Sequence, residues 1–148
     1  MLKIALKTAE LWKSFNCEET WTIEELIFAA INHDLGKIGD GTNENYVPNP
    51  SDWHVENQGK VYTGNDKMQF MEVPERSLFL LAKYNVPVTE QEWLAIKLHD
   101  GMFAEANKYY YMAFSSGRKL KTNLPYILHH SDMMASRIEY ENYTRGLN

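Results

Sequence analysis

The stretch Thr22-Ile-Glu-Glu-Leu-Ile-Phe-Ala-Ala-Ile-Asn-His-Asp-Leu-Gly-Lys37 decides how this chain folds. It opens with a capping box, in which the Thr22 hydroxyl accepts a hydrogen bond from the first helical turn and Glu25 reaches back to the backbone of Thr22. Apolar residues follow at helical spacing, and a glycine near the end favours a sharp stop. The stretch therefore predicts an amphipathic helix with a histidine-aspartate pair, His33-Asp34, at its C-terminal end.

The remaining hydrophobic pattern predicts an all-α fold of about five to six helices. Besides the helix that ends at His33-Asp34, helices are predicted over residues 2–16, 75–84, 89–100 and 125–143. Residues 39–72 are rich in Asn, Gly, Pro and Asp, which predicts a long insertion loop with a short hairpin over residues 60–70. Residues 101–122 are predicted to be irregular. A single domain over residues 1–148 is the expected organisation at this length.

Composition and charge narrow the function classes. A net charge of −5 without a Lys/Arg cluster argues against general nucleic-acid binding, which needs a basic face. The single cysteine, Cys17, excludes an intramolecular disulfide and favours a reducing compartment. Residues 1–4 open an amphipathic pattern rather than a signal peptide, and no apolar run has the length that crosses a bilayer. We therefore expect a cytoplasmic protein with no membrane partner.

The histidines carry the strongest chemical signal in the sequence. Three of the five stand beside or near an aspartate, in the groups His33-Asp34, His99-Asp100 and His130-Ser-Asp132. Imidazole and carboxylate together are the ligands of a divalent ion such as Mn, Fe, Co, Ni or Zn. A chance surface pair is the alternative for any single group, but three groups on separate predicted helices favour one shared metal site.

The segment His33-Asp-Leu-Gly-Lys37 resembles the signature of the HD superfamily of metal-dependent phosphohydrolases. The resemblance implies an α-helical HD-domain bundle that holds one or two divalent ions, with Mg²⁺ added to the ions named above. It implies His33, Asp34 and Asp132 as ligands, since Leu128–Ala135 resembles the family's final aspartate segment. It also implies His99 as a further ligand or a substrate contact.

Other parts of the chain extend or depart from this likeness. The segments Pro74–Leu81, His99–Gly101 and Leu124–Leu128 resemble HD-domain proteins of tailed phages and marine metagenomes. The family's first-helix histidine, by contrast, has no counterpart, because residues 1–32 contain no histidine. Val73 and Pro74 stand where two-metal members carry histidine, and neither side chain can bind a metal.

The resemblance implies hydrolysis of a phosphomonoester or phosphodiester, with a nucleotide as the expected substrate. The metal would lower the pKa of a water molecule, Asp34 would orient that water or relay its proton, and Lys37 would neutralise phosphate charge. The missing histidine motivates two alternatives. One is a degenerate HD domain that binds a nucleotide or a partner protein without catalysis, and the other is a chain whose complete form carries that histidine upstream.

Four residues are the candidate substrate contacts: Lys37, His54, Arg76 and His129. Each also has a structural interpretation. Lys37 can favour the helix dipole, and Arg76 can be a solvated surface cation. His54 can anchor the insertion loop, and His129 can be a half-buried helical residue or can orient Asp132 from the same helix face. The aromatic run Tyr109–Tyr111 further predicts a homodimer surface.

Overall fold

The computed structural model describes residues 1–147 and is mostly helical, which confirms the all-α prediction. Its α-helices are α1 Leu2–Ser14, α2 Ile23–Asn32, α3 Asp52–Gln58, α4 Val73–Lys83, α5 Glu90–Leu98, α6 Glu105–Tyr111 and α7 Leu124–Thr144. Two short 3₁₀ turns span Leu35–Ile38 and Gly101–Phe103. Strands β1 (Tyr46–Pro48) and β2 (Tyr62–Gly64) pair antiparallel.

The chain forms two compact units. The first contains Met1–His33 and the described chain from Val88 onward, and the second contains Asp34–Pro87. In the first unit, α5 packs against α2 and α7, and α1 packs against α7 and α2. Its core side chains are fully buried: Leu26, Ala29, Ala95, Ile96, Leu98, Leu124, Ile127 and Leu128. Each buried Leu or Ile contributes about 1.5–3 kcal/mol relative to an exposed one, so this core fixes the helix ends that carry the site.

Helices α2 and α5 are built alike and lie side by side in the same direction. Each begins with a complete capping box, Thr22 with Glu25 in α2 and Thr89 with Glu92 in α5. The Thr89 hydroxyl also donates to Oε1 of Glu25 at 2.8 Å, which joins the two N-terminal ends. Because the helices have nearly equal lengths, of 10 and 9 residues, their C-terminal ends lie level with each other.

The second unit is organised around the contact between the first 3₁₀ turn and α4. The Gly36 N–H donates to Oγ of Ser77 at 2.8 Å, and that hydroxyl donates to the Val73 carbonyl at 3.0 Å. A Cβ at Gly36 would lie 2.3 Å from the Val73 carbonyl oxygen. Glycine is therefore needed here for close approach to α4, whereas the prediction that Gly36 ends α2 was wrong, because α2 already ends at Asn32 with His33 as its C-cap.

The insertion differs from its predicted form. Strand β2 pairs with β1, in the register Tyr46↔Gly64, and does not pair with residues 66–70, so the predicted hairpin was wrong in its partner strand. Helix α3, capped by the Ser51 hydroxyl and ended by Gly59 at φ +63°, lies between the two strands. Its seven residues are too few for hydrophobic periodicity to reveal against an Asn- and Gly-rich background.

Residues 101–122 are also more regular than predicted. They contain α6, whose N-cap residue Ala104 has no side chain that can cap a helix, so the sequence offers no start signal there. Within residues 1–147 the helix count is seven rather than five to six, because α3 and α6 were not predicted. The organisation as one HD domain over residues 1–148 stays a prediction.

Candidate metal centre

Two buried histidines end α2 and α5 and face each other. His33 and His99 are the C-cap residues of these helices, with 5% and 2% of their surface exposed. Their rings meet edge to face with centroids 4.9 Å apart. The level ends of α2 and α5 therefore bring together two of the histidines that the sequence nominated.

Each ring is held by a backbone carbonyl of its own helix. Nδ1 of His33 lies 3.0 Å from the Ala30 carbonyl oxygen, and Nδ1 of His99 lies 2.8 Å from the Ile96 carbonyl oxygen. A carbonyl oxygen only accepts, so both Nδ1 atoms are assigned the hydrogen. In the neutral rings Nε2 then carries the lone pair, which is the tautomer that a metal-binding histidine needs.

Asp132, on α7, lies beside one of these lone pairs. Its Oδ1 is 3.3 Å from Nε2 of His33, and its side chain is about one-third exposed, at 31%. A neutral imidazole lone pair and a carboxylate oxygen are both acceptors, so this approach requires a cation between them or a proton on Nε2. The predicted ligand pair His33 and Asp132 is thus brought together by α2 and α7.

Asp34 completes a group that can hold a metal ion. One ligand atom each from His33, Asp34 and His99 lies within 4.8 Å of the others. Asp34 directly follows His33 in the chain and is the first residue of the second unit. Ligand atoms about 2.0–2.2 Å from one ion lie at most about 4.4 Å apart, so small side-chain adjustments suffice.

His129 supports the end of α5. Its Nδ1 lies 2.8 Å from the backbone carbonyl oxygen of His99. Gly101 has φ +58°, and a Cβ there would lie 2.3 Å from the His129 ring, so only glycine leaves room for this contact. The predicted substrate contact His129 is therefore bonded to the backbone of a candidate ligand, which makes it a positioning residue.

Tyr111 supports the same helix end. Its hydroxyl donates to the Leu98 carbonyl at 2.9 Å and approaches the Pro125 carbonyl at 3.4 Å. Burial, with smaller contributions from Tyr126 and Asp100, raises the pKa of the Tyr111 phenol well above its ordinary value. The group thus stays protonated and continues to donate. His129 and Tyr111 together satisfy two of the last carbonyls of α5, which have no partner inside the helix.

A cleft of about 140 Å³ opens beside these residues. Its walls include His99, Asp132, His129 and two residues that sequence reasoning missed, Ser136 and Arg137. Within residues 1–147 no hydrogen bond or ion pair engages the Arg137 side chain. The only sequence signal was its place on α7, five residues beyond Asp132. The guanidinium of Arg137 and the candidate ligands His99 and Asp132 therefore line the same cleft.

The other predicted site residues belong to the second unit. Lys37 forms an ion pair with Asp34, with Nζ 2.7 Å from Oδ2. His54 is exposed on α3, and its ring contacts that of Trp53 with centroids 5.2 Å apart. Arg76 is only 4% exposed on α4, so its interpretation as a solvated surface cation was wrong.

His130, the neighbour of His129 on α7, has a pKa below its ordinary value. Its pKa is lowered, first by burial and then by the neighbouring His129. Its ring lies against Trp12 with centroids 6.1 Å apart, so it faces α1. Of the two adjacent histidines, His129 is therefore the one that contacts the end of α5.

Comparisons with known proteins add no family assignment. No family model, curated protein or solved structure matches the chain. Among the helices formed by residues 1–147, none combines the length and the apolar character needed to cross a bilayer.

Proposed function

We propose that this chain is a metal-dependent phosphohydrolase of the HD type. The observation that carries the proposal is the approach of Nε2 of His33 to Oδ1 of Asp132 at 3.3 Å, next to His99 and Asp34. Two imidazoles with two carboxylates make a ligand set that favours Mn, Fe, Co, Ni or Zn over Mg, which prefers oxygen ligands alone. The substrate would be a phosphomonoester or a phosphodiester, with a nucleotide as the first candidate.

The residues would have two roles, as ligands of the metal ion and as groups that act on the bound water. His33, His99, Asp34 and Asp132 would hold the ion, with the imidazoles bonding through Nε2. The ion would supply Lewis acidity and lower the pKa of a water molecule. Asp34 would orient that water or accept its proton, and its side chain forms an ion pair with Lys37.

Arg137 is the residue of the cleft best suited to a phosphate oxygen. A guanidinium presents several donors in a planar fork that matches a phosphate group. Arg137 lines the cleft with His99 and Asp132. A phosphate bound there would therefore contact both the metal ligands and the guanidinium. Lys37 would serve as a second, compact positive charge.

The direct test is a phosphatase screen on protein stripped with EDTA and then supplied with Mn²⁺, Co²⁺ or Ni²⁺. We expect metal-dependent release of phosphate or of a nucleoside from at least one nucleotide, and loss of that release in Asp34→Asn. Asp52→Asn, on α3, removes the same charge outside the ligand set and should retain activity. Metal-independent release, or equal release by Asp34→Asn, would contradict the proposal.

One observation favours a second candidate, an HD domain that binds without hydrolysis. Residues 1–32 contain no histidine, so the family's first ligand has no counterpart in this chain. Such a protein would take up metal and a nucleotide, and would give no product with any metal in the screen. Measuring metal uptake and turnover on the same preparation separates the two functions.

A further inference from the structure

The second unit contains a buried cation that lacks a counter-ion. Arg76, on α4, is 4% exposed. Its Nη2 donates to the Gln69 carbonyl at 2.6 Å, while its buried Nε has no hydrogen-bond partner. Among the residues described, 1–147, no carboxylate forms an ion pair with it. Burying a charge without a counter-ion and a donor without an acceptor costs free energy. A ligand that supplies a hydrogen-bond acceptor to Arg76 would therefore be favoured at this site.

Arg76 lines a pocket of about 560 Å³ that lies within this unit. This volume is in the range of small-molecule sites, about 300–1,000 Å³. The pocket is bounded by the β1–β2 ribbon on one side and by the segment that leads into α4 on the other. Two exposed aromatic rings, Tyr46 and Phe70, form part of its wall. The pocket thus combines apolar surface with one deep positive group.

The start of α4 adds positive potential to the same wall. Glu72 and Val73, the N-cap and first residue of this 11-residue helix, line the pocket, and no side chain caps the helix start. The N-terminal end of a helix carries a partial positive charge, which favours an anion nearby. This feature is independent of the unpartnered Nε of Arg76.

Two carboxylates on the wall limit what the pocket can accept. Asp66 and Glu72 both line it and would repel a ligand with several negative charges. A ligand with one compact oxyanion can approach Arg76 while its remaining part packs on the aromatic rings. We therefore expect polyphosphates to bind this pocket less well than ligands with a single oxyanion.

We propose that this pocket of the second unit binds a small molecule through one compact oxyanion, a carboxylate or a phosphate monoester, held by Arg76. A guanidinium recognises both groups by the same bidentate geometry, so the chemistry is shared and the source is decided by experiment. Binding at this pocket requires no metal and no hydrolysis, so it can be tested independently of the proposed function.

The test is a titration of metal-free, full-length protein with inorganic phosphate and, separately, with acetate, followed by ¹H–¹⁵N NMR. The Nε–H of Arg76 is a direct reporter, because it gains an acceptor when the anion binds. We expect a saturable shift of this signal, together with backbone amides of residues 65–73, with at least one of the two anions. No saturable shift with either anion up to about 20 mM, where even a millimolar site is nearly filled, would overturn the proposal.

Variants distinguish a specific anion-binding site from attraction by the overall charge of the protein. Asp66→Asn removes a repelling carboxylate and should tighten anion binding by about two- to tenfold, the effect of one unit charge across a partly solvated pocket. Lys67→Gln removes an exposed cation of the same loop and should leave binding unchanged. If Lys67→Gln weakens binding as much as Asp66→Asn strengthens it, the anion is attracted only by overall charge, and the proposal fails.

Arg76→Lys keeps the charge but loses the planar fork. We expect at least about tenfold weaker anion binding, with the unit still folded as judged by the dispersion of its amide signals. If Arg76 serves only to hold the Gln69 carbonyl, the variant would lose stability, and the Nε–H signal of the wild type would not shift with either anion. That result would contradict the proposal even if the variant failed to fold.

Discussion

The imidazole rings of His33 and His99 meet edge to face with their centroids 4.9 Å apart, although 66 positions separate them in the chain. The meeting follows from matched helices. The N-terminal ends of α2 and α5 are joined by the bond from Thr89 to Glu25, and each helix ends at its histidine. Since both rings direct Nδ1 to a carbonyl of their own helix, Nε2 is the atom through which each ring would bond to a shared cation.

Gly101→Ala should destabilise the protein and weaken metal binding. The new Cβ would lie 2.3 Å from the His129 ring, which holds the His99 carbonyl, and the residue would keep a positive φ. We expect a loss of about 2–4 kcal/mol in the free energy of unfolding, the sum of backbone strain and a displaced ring. Urea unfolding measures it.

Gly59→Ala is the matched control for that change. Gly59 also has a positive φ, +63°, but a Cβ there would meet nothing within 4 Å. It should therefore lose only the strain term, about 1–2 kcal/mol, and should keep the metal affinity of the wild type. Equal losses in the two variants would show that the contact between Gly101 and His129 has no special role.

Tyr111→Phe should change how stability depends on alkaline pH. At neutral pH the variant loses the hydrogen bond to the Leu98 carbonyl, about 1 kcal/mol. The pKa of the Tyr111 phenol is raised by burial, so above the ordinary value of about 10 the unfolded chain ionises while the folded protein does not. Wild-type stability therefore falls as the pH rises past about 10.

The substitution removes this contribution, so the difference in stability between the wild type and Tyr111→Phe should shrink above about pH 10. Unfolding curves at neutral and alkaline pH test it. A difference that stays constant would mean that the Tyr111 phenol is not protected in the folded protein.

Asp40 should titrate well below an ordinary carboxyl. The backbone N–H groups of Asn43 and Thr42, both at 2.7 Å from Oδ1, and the Asn43 amide hold its pKa at about 2, from 3.8. The contribution of Asp40 to stability is therefore present above pH 3.8 and is lost as the pH falls towards about 2. A ¹³C NMR titration of the Asp40 carboxyl carbon measures this value, and a midpoint near 3.8 would contradict the bonded turn.

Arg137→Gln should impair turnover and spare metal binding. Its guanidinium lines the cleft with His99 and Asp132 and is not among the ligands. We expect kcat/KM to fall by about 10- to 100-fold, the effect of one lost charge-assisted bond of about 1.5–3 kcal/mol. Metal content should stay unchanged. A loss of metal together with activity would instead assign Arg137 a role in folding or in the ligand set.

Much of the first unit could be predicted from local signals. The capping boxes at Thr22 and Thr89 predict the starts of α2 and α5, and the histidine-aspartate pairs mark their ends. Asp132 was nominated by its place in the group His130-Ser-Asp132 and by the family resemblance, since residues this far from His33 in the sequence carry no periodic relationship to it. The structure brings the two within 3.3 Å.

The second unit was harder to predict because its contacts are non-local. β1 and β2 pair across α3, so the turn at Gly64-Asn65 suggested the wrong partner strand. Arg76 is buried and bonded to the Gln69 carbonyl in the segment that precedes α4, which no pattern of charges around residue 76 could indicate. Burial of a charged side chain depends on the whole fold, and this is why a solvated interpretation was natural from sequence.

Calorimetric titration of Mn²⁺ or Zn²⁺ into EDTA-treated protein tests the central claim most directly. The wild type should bind with a defined stoichiometry, and His33→Gln and Asp132→Asn should each bind at least about tenfold more weakly, because each removes one ligand bond. His130→Gln, which alters a histidine that faces Trp12, should bind like the wild type. Binding that is absent in the wild type, or unchanged by loss of His33 and Asp132, would contradict the metal centre.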